Sequence, residues 1–294
     1  MVAGSKRLIV VILAALVLWG ARPETLQERA SPPMRIVSLV PALTEMLFAI
    51  GAGPQVIAVS SYDEFPPEVK SLPRVGALLD PDMERILALR PDLVVSYGSQ
   101  TDVQAQLARA KIRVFSYRHA GLNGVFTTLK DLGVAVGRTA DADRLARDIR
   151  SGLDAIQTRV RGRPKARTLL VFERDPASLR GVYVSGGVGF LHDMLGIAGG
   201  VNVFADVARE SVQPSVETML ARAPEVILEV RATGLLASAD LAQAKRVWGA
   251  LASVPAVQHG RIQILNGEHL VVPGPRVVQG TEAFARALHP DAFK

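Results

Sequence analysis

Two glutamates placed alike in a repeated segment are the most specific chemical signal in the sequence. Pro81-Asp82-Met83-Glu84-Arg85-Ile86-Leu87-Ala88-Leu89-Arg90-Pro91-Asp92 aligns without gaps with Pro214-Ser215-Val216-Glu217-Thr218-Met219-Leu220-Ala221-Arg222-Ala223-Pro224-Glu225. Each segment opens with a proline suited to the first helical position, which puts Glu84 and Glu217 in or near a helix's first turn. There a carboxylate complements the helix dipole, worth roughly 0.3–1 kcal/mol. Matched charges on equivalent outer faces equally suit docking onto a partner that carries paired arginines. As a catalytic acid–base pair they are unattractive, because nothing brings the two equivalent faces into one cleft.

The remaining side chains point away from catalysis. His119, His192, His259, His269 and His289 show no i,i+4 pairing or His-Glu-x-x-His spacing, and the chain has no cysteine. A protein-built metal centre is therefore not expected, nor a disulfide framework or a lipid-modified cysteine. Gly186-Gly187-Val188-Gly189 lacks the last spaced glycine of a dinucleotide fingerprint, and Ser185-Gly186-Gly187 is no nucleophile elbow. That glycine turn either offers backbone N–H groups to a ligand oxygen at a helix start or is a tight turn with no ligand role. With no nucleophile–base–orienter set, the chain reads as a non-enzyme.

Ligand contacts are sought in loops after strand ends, where open α/β sheets bind. Pro41-Ala42-Leu43, Tyr62, Tyr97-Gly98-Ser99, Arg174 and Pro273-Gly274-Pro275-Arg276 occupy such places. Tyr62 either stacks on a planar ligand or covers an edge of the fold. Arg174 and Arg276 either clamp anionic groups bidentately or pair with a nearby acid. His269 and Arg209 are weaker candidates of the same kind.

The elements that must hold these residues alternate between strand and helix. Apolar runs at 35–40, 56–60, 92–97 and 113–117 read as strands, with helices at 44–50, 81–89, 103–110 and 125–136 between and after them. From Asp141 to Val160 the apolar residues recur every three or four positions, giving one long amphipathic helix. Strands at 168–172, 182–185, 225–230 and 261–265 follow, with helices at 190–197, 216–223, 241–251 and 277–288. The fold class is α/β: two Rossmann-like lobes with mostly parallel sheets, joined by one connecting helix. The corresponding spans are an N-terminal lobe at 31–138, a linker helix at 139–163 and a C-terminal lobe at 164–294. The duplicated segment supports this division.

Residues 1–30 look like an export leader or anchor plus spacer. Lys6 and Arg7 precede an apolar run from Leu8 to Trp19, of signal-peptide length, but bulky residues stand where a cleavage site prefers small ones. The expectation is a periplasmic protein, freely diffusing or tethered to the inner membrane by an uncleaved leader. The net charge is +6, partly from the leader and partly from Arg159, Arg161, Arg163, Lys165 and Arg167. No nucleic-acid-binding motif accompanies that run, so it reads as a solvated face.

Taken in order, Arg35-Ile36-Val37-Ser38-Leu39-Val40-Pro41-Ala42-Leu43-Thr44-Glu45, Ser60-Ser61-Tyr62-Asp63-Glu64-Phe65-Pro66-Pro67, Gly199-Gly200-Val201-Asn202-Val203-Phe204 and the two Glu helices resemble the periplasmic cobalamin-binding protein family. That family belongs to the receptors for cobalamin, ferric siderophores and haem that feed ATP-binding-cassette (ABC) importers. The resemblance covers roughly residues 34–288. It implies two lobes on a rigid helix with little closure, a monomer, and docking of Glu84 and Glu217 onto arginines of the permease subunits. It also implies ligand contacts at Tyr62 and at the Pro41 loop, and no cofactor other than the ligand, itself a metal chelate. Leu78 and Ser211 stand where cobalamin receptors present stacking tryptophans, and Arg174, Arg209 and Arg276 would suit an anionic chelate or haem propionates. A corrinoid is the first expectation, a ferric siderophore, haem or an anchored ligand sensor the alternative.

Overall fold

Strand-forming runs rich in Val, Ile and Leu build two sheets, and a computed structural model describes them over residues 32–232 and 238–294. The leader expected at 1–30 lies outside the described residues. In the N-terminal half, β1 (Ile36–Ser38), α1 (Pro41–Ala49), β2 (Val56–Val59), α2 (Met83–Ala88), β3 (Leu93–Tyr97), α3 (Thr101–Arg109), β4 (Arg113–Tyr117) and α4 (Leu122–Ala135) follow in turn. Their sheet runs β2-β1-β3-β4 and is parallel throughout. β1 is wholly buried and β3 nearly so, as expected of central strands covered on both faces.

α5 (Thr139–Val160) crosses to the second half. There β5 (Ala166–Glu173), β6 (Tyr183–Ser185), α6 (Phe190–Ile197), β7 (Gly200–Asn202), β8 (Ser211–Val212), α7 (Val216–Arg222) and β9 (Val226–Arg231) are followed by α8 (Ser238–Val247), α9 (Pro255–Gln258), β10 (Ile262–Asn266) and α10 (Val277–Leu288). Parallel pairings of β7 with β5, β5 with β9 and β9 with β10 reproduce the four-strand order of the first sheet. The sheets are mostly parallel, as expected; the exception is β6, which runs antiparallel to both β5 and β8. The link from Arg174 to Val182 is shorter than the dozen or so residues a parallel crossover requires, so the chain must double back. β6 and β8 are thus additions to a frame the halves share.

The duplicated segment extends into hydrogen bonding. Arg90 and Ala223 close α2 and α7 at φ 48° and 44°, a left-handed turn that precedes proline in both places. Asp92 accepts from the Arg35 N–H at 3.0 Å, and Glu225 accepts from the Arg167 N–H at the same distance. The guanidinium of Arg35 donates to the Leu89 carbonyl at 2.7 Å and that of Arg167 to the Arg222 carbonyl at 2.8 Å. Each half therefore ties its first strand to its Glu-bearing helix in the same way.

Among the boundaries that depart from expectation, two have a clear cause. α1 starts at Pro41 rather than Thr44, since Ala42 to Leu47 are all buried and show no amphipathic period. The helix expected at 241–251 ends at Val247 and tightens into a 3₁₀ turn that buries Trp248. One apolar cluster reaches both sheets, carried across by Ala142, Ala146, Ile149, Leu153, Ile156 and Val160 of α5, and each sheet packs a further cluster of its own.

Candidate functional site

The two halves meet in a cavity of about 230 Å³. The N-terminal half supplies His119, two residues past β4, and the C-terminal half supplies Phe172, Val188, Phe190, Glu210 and Val271. Ser211 also lines it, so the position expected to lack a stacking tryptophan does face this space. Rings at Tyr97, Tyr117, His119 and Phe190 follow one another at 5.8, 5.7 and 5.9 Å, a ladder that passes from one half to the other. Tyr117 hydrogen bonds His119 Nδ1 at 2.9 Å. Burial raises the pKa of the Tyr117 hydroxyl, so it stays protonated.

Two polar locks bind the halves beside this cavity. Arg276 holds Glu45 bidentately, Nε to Oε2 at 2.9 Å and an Nη to Oε1 at 2.5 Å, while its guanidinium lies 4.0 Å from the Phe65 ring centroid. The Glu45 side chain is 3% exposed and that of Arg276 14%. Burial raises the Glu45 pKa even against the pull of Arg276. In the second lock, Asp193 of α6 accepts from the Leu122 N–H at 2.8 Å and so caps α4.

The expected ligand contacts separate on this frame. Arg276 is engaged by Glu45, which leaves little of it for an anionic ligand. Arg174 is a correction too: its side chain is 1% exposed, and it donates to Glu229 at 3.0 Å and to the carbonyls of Asp175 and Ala244. Glu229 also accepts from the Trp248 indole at 2.8 Å, so Arg174 belongs to a buried structural cluster. Pro41 and Ala42 lie in the first turn of α1 and not in a loop, with Ala42 buried. Gly274 packs there because a Cβ would stand 3.1 Å from Glu45 Oε2 and 3.6 Å from the Ala42 carbonyl. His269 is half-buried, its pKa lowered by desolvation and by Arg276, with its ring packed on Gly267.

Tyr62 is 71% exposed on a turn fixed from beneath. Asp63 accepts from the Ser60 N–H at 2.9 Å and hydroxyl at 2.7 Å, and Arg74 donates to the Ser60 carbonyl at 2.9 Å. Arg209 is exposed beside Glu210, while its carbonyl lies where a Cβ on Gly186 would be, 2.0 Å away. Gly186 and Gly187 donate to the carbonyls of Glu210 and Val207, so in this part of the turn glycine serves packing and those two N–H groups are taken. Leu78 lines a separate open hollow of about 550 Å³ built wholly from the N-terminal half.

Glu84 and Glu217 are exposed, and each is the second helical residue. Their prolines sit one place before the caps rather than at the first helical position, because Asp82 and Ser215 themselves cap the helices. Asp82 accepts from the Arg85 N–H at 2.9 Å and Ser215 from the Thr218 N–H at 3.2 Å. Its own backbone N–H, followed by Ser215, lowers the pKa of Glu217.

Sequence reasoning passed over His119, Glu45 and Phe190. The strand-end rule that selects Tyr62 and His269 also reaches His119, which the sequence reading counts only among histidines without a metal-binding spacing. No helix among the described residues is long and apolar enough to cross a membrane.

Comparison with known proteins agrees with this architecture. The periplasmic binding protein family matches residues 36–268. An uncharacterized ABC transporter substrate-binding lipoprotein of Bacillus subtilis, YvrC, is 30% identical over 270 residues, 89% of this chain and 82% of that protein. The vitamin B12-binding protein of Salmonella paratyphi A is 29% identical over 284 residues, 96% of each chain. The apo structure of the periplasmic heme-binding protein RhuT from Roseiflexus sp. RS-1 is 28% identical with a TM-score of 0.75, covering 88% of this chain and 98% of that one. The chain belongs to the periplasmic binding protein family, the non-enzymatic substrate-binding components of ABC importers.

Proposed function

We propose that the chain receives a metal chelate, a corrinoid first, at the seam between its halves and delivers it outside the cytoplasm to importer permease subunits. The observation that carries the delivery role is the placement of Glu84 and Glu217, both exposed at the second position of helices bound to their sheets by the same hydrogen bonds. Two such carboxylates, one per half, suit a partner with paired arginines. Acting as a monomer, the protein would present both at once.

The 230 Å³ cavity is smaller than the ~300–1,000 Å³ usual for small-molecule sites, so it suits one edge or face of a larger ligand. Tyr62, exposed on its rigid turn, adds a stacking surface. With Arg174 and Arg276 engaged elsewhere, binding rests more on apolar and aromatic contact than on clamping of anions. Haem is the second ligand, favoured by the heme-binding structural relative. Calorimetric titration of the full chain with cobalamin, haemin and a ferric siderophore tests the class, and no binding at micromolar concentration removes it. Glu84→Ala with Glu217→Ala is expected to leave ligand affinity within about twofold while removing stimulation of the importer's ATPase, as loss of rim charges predicts. Loss of ligand affinity in that variant would refute the docking assignment.

A further inference from the structure

His119 is the one histidine that the N-terminal half brings to the cavity wall, and its surroundings determine which ring atom is available. Nδ1 is engaged by the Tyr117 hydroxyl, and Nε2 makes no hydrogen bond among the described residues. The tyrosine oxygen can accept from Nδ1–H, which leaves a lone pair on Nε2. A histidine whose second nitrogen is held in this way is the usual form of a metal-ligating imidazole. Solvent reaches the ring, yet the protein packed around it outweighs the charge of Glu210 and holds the His119 pKa below the ordinary value.

No group of three or more His, Cys, Asp or Glu among the described residues could hold a metal ion. A lone imidazole cannot retain a bare cation, but one donor is enough for a metal that arrives already held in a macrocycle with an axial position to exchange. Of the other walls, Phe172, Val188, Phe190 and Val271 are apolar and suit the face or edge of such a ring, with Glu210 and Ser211 as the polar ones. We propose that His119 Nε2 is an axial ligand to the metal of the bound chelate, so that the site selects corrinoids or porphyrins with an exchangeable axial position over coordinatively saturated complexes. The step exchanges one axial water for imidazole nitrogen with no change of oxidation state. This rests on the metal-chelate reading above.

Diaquocobinamide and dicyanocobinamide differ only in their axial ligands and are the probes, with haemin in parallel; visible spectra and titrations of the full chain are the readouts. Wild-type protein is expected to shift the bands of diaquocobinamide or haemin and to bind the diaquo form at least ~10-fold more tightly than the dicyano form. His119→Ala and His119→Gln should abolish the shift and bring the two cobinamide affinities together. Tyr117→Phe should weaken only the shifted complex, by about 10-fold, as loss of an orienting partner does. A His119-dependent shift with haemin alone supports the proposal and assigns the cargo to the porphyrins. A shift that survives His119→Ala, or equal wild-type affinity for both cobinamides with no shift of either probe, overturns it. Failure of the wild-type protein to take up any of the three probes would remove the metal-chelate reading, and the proposal with it.

Discussion

Replacing Arg276 with methionine should cost the protein more stability as pH rises. Breaking one side of a buried ion pair costs about 3–5 kcal/mol, because the partner is left charged and unsolvated. Arg276 is 14% exposed and Glu45 can take up a proton, so the lower end, about 3 kcal/mol, is expected near pH 8. Without Arg276, both influences that lower the Glu45 pKa disappear and burial drives it further above the ordinary 4.5. The folded state of the variant then holds a proton that the unfolded chain has released. Its stability is fully present below the ordinary value and declines by about 1.4 kcal/mol per pH unit until the folded pKa is passed. Urea unfolding of both proteins from pH 5 to pH 8 measures this. The double variant Arg276→Met with Glu45→Met should recover to within about 1 kcal/mol of wild type, since an apolar pair replaces the ionic one. A penalty for the single variant below about 1 kcal/mol, or one that does not change with pH, would show that this pair does not hold the halves together.

Asp193→Ala should destabilise by about 1–2 kcal/mol through loss of the charged cap on α4, measured as a lower denaturation midpoint with an unchanged slope. Arg90→Gly and Ala223→Gly should each stabilise by about 0.5–1 kcal/mol, because both residues sit at positive φ where glycine carries no Cβ penalty; a fall in midpoint for either would contradict the backbone argument.

Elements with a clear period were legible in the sequence. α6 and α10 run from Phe190 to Ile197 and from Val277 to Leu288 as expected, the latter because a polar face alternates with Val277, Phe284 and Leu288. α1 was not, since burial nearly all round removes the alternation that periodicity detects. β7 and β8, at three and two residues, are too short to carry a pattern. In the site, exposure of Tyr62 and of the two glutamates followed from local context. The roles of Arg276 and Arg174 depend on acids 231 and 55 positions away in sequence, which spacing cannot pair. His119 was within reach of the strand-end rule; the aromatic ladder that gives it meaning was not.

Under the docking role proposed for Glu84 and Glu217, comparison of the two halves separates docking from cargo. The shared frame, with strand orders β2-β1-β3-β4 and β7-β5-β9-β10, carries Glu84 and Glu217 at matching positions. β6 and β8 have no counterpart in the first half, and they border the cavity through Ser211, Glu210 and the turn at Val188. β6 lies against β5 at Val171 to Glu173, while β7 takes its other end at Ala166 to Thr168. The antiparallel return therefore extends the frame without displacing it. Substitutions along β6 and β8 can reshape the cavity while leaving intact the hydrogen bonds from Arg35 and Arg167 that hold α2 and α7, whereas the loop at Val203 and Asp206 is not free to change, because Arg222 of α7 donates to both. A receptor divided in this way could change what it carries and still present the same pair of carboxylates, because the Arg35 and Arg167 ties of the two Glu-bearing helices involve neither β6 nor β8.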